Sequence, residues 1–125
     1  MTTQKQFRDQ VILLAHEVPP DHPTAGELKD FTWSLEPRFD VHYLHEPPDY
    51  WAQQHEERLF ALEQQRQAHE LDWLREDYLP YPDKYPVILV QGADAFFYPW
   101  DGSKRISYAC AQQIHHIPAI VGRPY

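Results

Sequence analysis

Residues 49–77, DYWAQQHEERLFALEQQRQAHELDWLRED, hold no proline and no glycine in a chain that carries twelve prolines and four glycines. The segment is rich in helix formers, and Pro47, Pro48 and Asp49 supply a helix-start signal, with Asp49 or a neighbour as the cap. As one straight helix it would extend about 43 Å at the usual rise per residue, longer than a compact domain of this size is wide. Trp51, Leu59, Leu62, Trp73 and Leu74 fall roughly on one stripe, whereas residues 63–70, EQQRQAHE, are almost wholly polar. The helix is therefore expected to break, or to expose its middle, near Gln65 to His69.

On either side of this segment prolines cut the chain into shorter pieces. QVILLAHEV (10–18) reads as a buried strand stopped by Pro19 and Pro20, and PPDHPTAGELKD as a loop. DFTWSL and RFDVHYLHE are two further strand candidates, the second with Phe39, Val41, Tyr43 and His45 on one face by the period of two. LPYPDKYP ends the helix and imposes an extended approach, because residues before proline avoid helical angles. VILVQ (87–91), GAD (92–94) and AFFYPW (95–100) then read as strand, turn and returning strand, a hairpin. DGSKRISYACAQQIHH places Ile106, Ala109, Cys110 and Ile114 at helical spacing, and Pro118 makes IPAIV extended. The order of elements predicts a mixed α/β (α+β) class: a small mixed sheet plus one long helix in a single domain, 1–125. Strands and Pro-rich loops are expected over 1–48, the long helix over 49–77 and a compact core over 78–125.

Composition narrows the function classes. With 42% hydrophobic and 14% aromatic residues the chain can build a core, so it is no candidate for disorder. A formal net charge of −8 argues against sequence-independent nucleic-acid binding, which needs cations to neutralise phosphates. The longest apolar run, Val11 to Ala15, is far too short to span a membrane, and its flanks do not make a secretory signal. The lone Cys110 cannot form an internal disulfide and lies on the apolar face of its helix, where an inert core role is expected; the cytoplasm is the expected compartment. His42 and His45, three apart on a presumed strand, would point to opposite faces, and His115 and His116 would sit at a helix end, so no zinc-ligand spacing emerges.

The chemistry concentrates in Asp101-Gly102-Ser103-Lys104-Arg105, where a strand hands over to a helix. A helix N-terminus presents unpaired N–H groups and the positive end of the dipole, and a glycine lets an anion come close to the backbone. A phosphate there would meet backbone amides, the Ser103 hydroxyl, Lys104 and a guanidinium able to grip two oxygens. The other reading is a helix capped by Asp101, with Lys104 and Arg105 as solvated charges. Against it, cations in a first turn oppose the helix dipole unless something negative binds there. Asp101 has a second role open to it besides capping, holding a magnesium ion that travels with a nucleotide. Trp100, one residue before the turn, is placed to contact a base or substrate.

The run from Pro86 to Val90, Asp101-Gly102, Arg105, Ala109 and Ile117 to Gly122, in the order strand, hairpin, DGxxR, helix, IPAIVG, resembles the core of the ParB/sulfiredoxin-like superfamily over about residues 74–123. That resemblance implies a phosphate-binding turn, used for nucleotides in several members, which include sulfinic acid reductases, CTP-hydrolysing partition proteins, small-molecule kinases and nucleases. It carries Gly102 and Arg105 over as phosphate-contacting positions. Lys104 stands where the family often has histidine, which keeps the charge and loses a proton shuttle near neutral pH. Ser103 stands where sulfiredoxins place their reactive cysteine, so no thiolate is available for that redox repair.

The leading expectation is a small nucleotide- or phosphate-binding domain, a phosphotransferase or nucleotide hydrolase if it turns anything over, taking a phosphorylated ligand or a nucleotide with magnesium. The alternatives are a non-catalytic module that engages a protein partner or a homodimer mate, and a ParB-like DNA nuclease, against which the net charge already counts. Nucleic acid and membrane are not expected partners.

Overall fold

The computed structural model describes residues 31–124; the strand expected over 10–18 and the loop over 19–30 lie outside them. Four strands, β1 (Phe31–Asp40), β2 (Val87–Gln91), β3 (Phe97–Asp101) and β4 (His116–Pro124), form one mixed sheet in the order β1-β4-β2-β3. β2 and β4 run parallel; β1 with β4 and β2 with β3 run antiparallel. The mixed α/β class read from the sequence holds, and VILVQ forms β2 residue for residue. Val87 to Val90 are fully buried on both faces, as a run of branched residues with no polar alternation requires of an inner strand.

Helix α1 (Pro48–Gln64) and helix α2 (Ser103–Ala111) lie on one face of the sheet. Trp51 of α1 and Ile106, Ala109 and Cys110 of α2 share a core with Val87, Leu89, Ile117, Ala119, Val121, Phe39 and Phe97. The other face carries Trp33, Ile88, Val90 and Ile120, with Phe31, Tyr98 and Trp100 packed against them. Trp33 lies flat over Gly122, where an added Cβ would come within 2.7 Å of its ring.

The long segment breaks where its polar middle predicts. α1 stops at Gln64, Arg66 takes a left-handed φ of 58°, and short 3-10 and π turns follow at Ala68–Leu71 and Leu74–Tyr78. These turns bring Leu71, Leu74 and Tyr78 back against Tyr108 of α2. Asp49 is not the cap: Pro47 holds that position, and Asp49 sits in the first turn, where a carboxylate suits the dipole.

Two other expectations are corrected. DFTWSL and the start of RFDVHYLHE fuse into one strand, and the second strand does not continue to Glu46. The Asp40 carboxylate accepts the His42 N–H at 2.9 Å and caps a 3-10 turn at Val41–Tyr43, a local hydrogen bond that outcompetes the ladder. Tyr43 therefore faces solvent while Val41 is buried, and His42 and His45 do not alternate across a strand. α2 is also shorter than expected. Gln113 is left-handed at φ 59°, with Gln113 N–H donating to Cys110 O and Ile114 N–H to Ala109 O, a Schellman stop; His115 follows it and His116 opens β4. Among the described residues no helix is long and apolar enough to cross a membrane.

Candidate functional site

β3 delivers Asp101 beside the start of β2, and the chain turns into α2 through Gly102 at φ 104°, ψ 22°. Glycine is required here twice over. The φ is left-handed, and a Cβ would lie 2.7 Å from Val87 Cγ1 and 2.9 Å from Arg105 Nη2. Gly102 O accepts the first intrahelical bond from Ile106 N–H at 3.0 Å, and no side chain caps the helix. The first turn thus offers the amides of Ser103, Lys104 and Arg105 at the positive end of the dipole, with no acidic residue in that turn.

Arg105 is not poised over this turn. Its Nη1 donates to the carbonyl oxygens of Tyr85 (2.7 Å) and Pro86 (3.0 Å), its Nη2 donates to Asp101 Oδ2 at 3.2 Å, and the side chain is 11% exposed. Burial pulls its pKa below the ordinary arginine value, and the Asp101 carboxylate works against that shift. The guanidinium clamps the chain entering β2 to the start of α2, satisfying carbonyls that precede the strand. Asp101 is not the cap: Gly102 holds that position, and Asp101 ends β3 with its carboxylate bound to Arg105. Ser103 and Lys104 remain exposed at the first turn, and Lys104 has no ion pair among the described residues.

The other singled-out residues lie elsewhere. Trp100 points to the sheet face away from α2, edge-on to Phe31 (6.4 Å) and Trp33 (6.3 Å), so the fold does not bring it together with the turn. Cys110 is buried, its thiol pushed up to about 11 by desolvation, which suits the inert core role. Tyr78, buried beneath α2, is pushed up to about 12 by desolvation, and its hydroxyl has no hydrogen-bond partner among the described residues. Among the described residues no group of three or more His, Cys, Asp or Glu is arranged to hold a metal ion.

A concave region elsewhere in the fold was not legible in the sequence. Three separate segments converge away from the α2 turn: the end of β1 with Tyr43, the turn between β2 and β3, and Arg123 of β4. They enclose a cleft of 530 Å³ floored by Phe39 and Phe97. No local motif announces it, because its parts are joined only by strand pairing; the nearest sequence signal is FFY beginning at Phe96, an apolar run too long for a strand with one buried face.

Comparison with family models, with curated proteins and with solved structures returned no match to this chain.

Proposed function

We propose that the chain is a small binding domain for a phosphorylated ligand, a nucleotide included, which it takes at the N-terminus of α2. One observation carries this reading: the cap position is held by Gly102, which has no side chain, and the neighbouring Asp101 carboxylate is bound to Arg105, so the amides after Gly102 are left uncapped beside a Lys104 that has no ion pair among the described residues. An anion would fill those donors and relieve the unfavourable placement of a cation at the positive end of a helix.

The division of labour differs from that implied by the family resemblance. Amides of Ser103 and Lys104, the Ser103 hydroxyl and the Lys104 ammonium would meet phosphate oxygens, while Arg105 holds the turn in shape. Asp101 Oδ1, the carboxylate oxygen not taken by Arg105, is the group left for a magnesium ion, which would draw its remaining ligands from phosphate and water. No residue at the turn is an evident proton shuttle, so the reading is of binding rather than turnover.

Pyrophosphate, ADP, ATP and CTP titrated against the chain, with and without magnesium, test the idea by thermal denaturation. At a ligand concentration one hundred times Kd, stabilisation of about 2.7 kcal/mol is expected. The shift should vanish in Lys104→Glu, whose side chain is exposed and makes no ion pair among the described residues. A flat response of the parent to all four ligands removes the proposal.

A further inference from the structure

The cleft is lined by Gln91 and Arg123, near the carboxyl ends of β2 and β4, and by Phe39 and Asp40 of β1, which pair with the amino end of β4. The α2 turn, beside Val87, is at the amino end of β2, about 13 Å away along the strand. The two regions are therefore separate, and a ligand in this cleft is independent of the phosphate reading.

The floor is apolar and fixed. The Phe97 ring, 5% exposed, meets the Phe39 ring edge-on at 5.2 Å, and the Arg123 guanidinium lies 5.2 Å from its centre. Arg123 is held in place by Glu36. Above the floor stand two aromatic side chains that the fold leaves in solvent, Tyr43 at 61% and Phe96 at 49% exposure. They neighbour each other because Leu44 bridges Phe97 and His45 N–H donates to Phe97 O at 3.0 Å.

Phe96 is presented by a turn that has been made rigid at a cost. Ala95 has a φ of 70°, in the left-handed region that a residue with a Cβ disfavours. Hydrogen bonds hold it there: Gly92 N–H to Phe96 O, Ala95 N–H to Gly92 O, Phe96 N–H to Asp94 Oδ1, and Gln91 Nε2 to Ala95 O. The Tyr98 hydroxyl donates to the other Asp94 oxygen. Opposite, β1 bulges at Pro37 and Arg38 as the register jumps from Glu36–Ala119 to Phe39–Ile117, where both Pro37 and the facing Pro118 lack an N–H. That bulge places Arg38 on the cleft.

Charge selects the ligand class. Five charged residues line the cleft. Glu36 is paired with Arg123, Asp40 accepts from His42, and Asp94 accepts from Phe96 N–H and Tyr98. Arg38 alone of the five has no hydrogen bond or ion pair among the described residues, and it is exposed. One free guanidinium, beside three carboxylates, suits a single negative charge spread over two oxygens and disfavours a doubly charged phosphate.

We propose that this cleft is a binding site for a small planar aromatic carboxylate, its ring held between the exposed side chains of Tyr43 and Phe96 and its carboxylate on Arg38. The volume of 530 Å³ falls within the range of small-molecule sites.

The test is an NMR titration of the isotope-labelled chain with 2-naphthoate and, in parallel, with neutral 2-naphthamide. Saturable shifts are expected at Tyr43, Phe96 and Arg38, with the amide binding at least about tenfold more weakly. Arg38→Gln should erase the preference for the acid and leave the amide affinity unchanged, since the side chain supports nothing else among the described residues. Phe96→Ala should weaken both probes. The proposal is overturned if millimolar naphthoate shifts none of these signals, if Arg38→Gln binds acid and amide as the parent does, or if the shifts gather at Ser103 and Lys104 instead.

Discussion

At Val87, the first residue of β2, two opposite charges are folded into the protein: Arg105 grips two carbonyls and Asp101, and the loose cation at this end is the neighbouring Lys104. At Gln91, the last residue of the same strand, the charges are also mostly paired, but they are arranged around an open cavity, with Arg38 left over. The first end is a compact motif in which Arg105 and Asp101 serve the fold; the second is an open cleft with no motif. A run of conspicuous residue types thus marks where the chain needs chemistry, and that chemistry can be structural. Space, by contrast, is made by elements distant in sequence.

The sharpest way to break the contrast is Arg105→Ala. It would leave the Tyr85 and Pro86 carbonyls without donors and Asp101 without its cation. The Tyr85 bond is exposed and the Pro86 and Asp101 bonds are half-buried, so solvent takes up part of the loss, and a destabilisation of about 2–3 kcal/mol is expected by urea unfolding. Arg105→Lys should recover only part of it, since an ammonium lacks the fork that spans three oxygens. Lys104→Ala, one residue away, should stay within about 0.5 kcal/mol of the parent. Equal effects of the Arg105 and Lys104 substitutions would show that the clamp carries no weight.

This asymmetry explains what could be read from the sequence. β2, the hairpin, the helix after Gly102 and the extended IPAIV follow from local pattern, and so does the break near Gln65, because a polar stretch has nothing to bury. The second half of RFDVHYLHE misleads because alternation of Phe39, Val41 and Tyr43 reads as a strand, while one side-chain bond from Asp40 is enough to turn the chain. At the DGSKR stretch the residue types were legible but their directions were not. Whether a guanidinium faces solvent or reaches back to a carbonyl nineteen or twenty residues earlier depends on the β2–β3 pairing, which no spacing rule encodes. The position of Arg38 is hidden in the sequence for the same reason: its place on the cleft comes from a bulge at two prolines on different strands.

A smaller effect probes the cleft end. Ala95→Gly removes the cost of a left-handed residue bearing a Cβ, and it should stabilise the chain by about 0.5–1 kcal/mol. The Gly102 end should behave in the opposite sense, since Gly102→Ala introduces both the strained φ and a contact at 2.7 Å with Val87. If Ala95→Gly stabilises and also weakens naphthoate binding, the strain at this turn is what holds Phe96 in position. A stabilised variant that binds as the parent does would mean the hydrogen bonds alone suffice.

The smallest effect is electrostatic and belongs to Asp40, at the junction of the cleft and the 3-10 turn. Its carboxyl is held below the usual value of 3.8 first by the His42 backbone N–H and then by the His42 ring, with His116 adding a weaker attraction at 4.0 Å. The folded state therefore binds this proton less readily than the unfolded chain. The stability it contributes is complete above pH 3.8 and is lost as the pH falls below that value, through the depressed folded pKa. Asp40→Asn should flatten this part of the acid limb of unfolding. It keeps an oxygen to accept the His42 N–H, so the turn itself should persist. Retention of the full acid slope in Asp40→Asn would place the titrating group elsewhere. A lost turn, seen as solvent exchange of the His42 amide, would show instead that the negative charge, rather than the acceptor oxygen, shapes this side of the cleft.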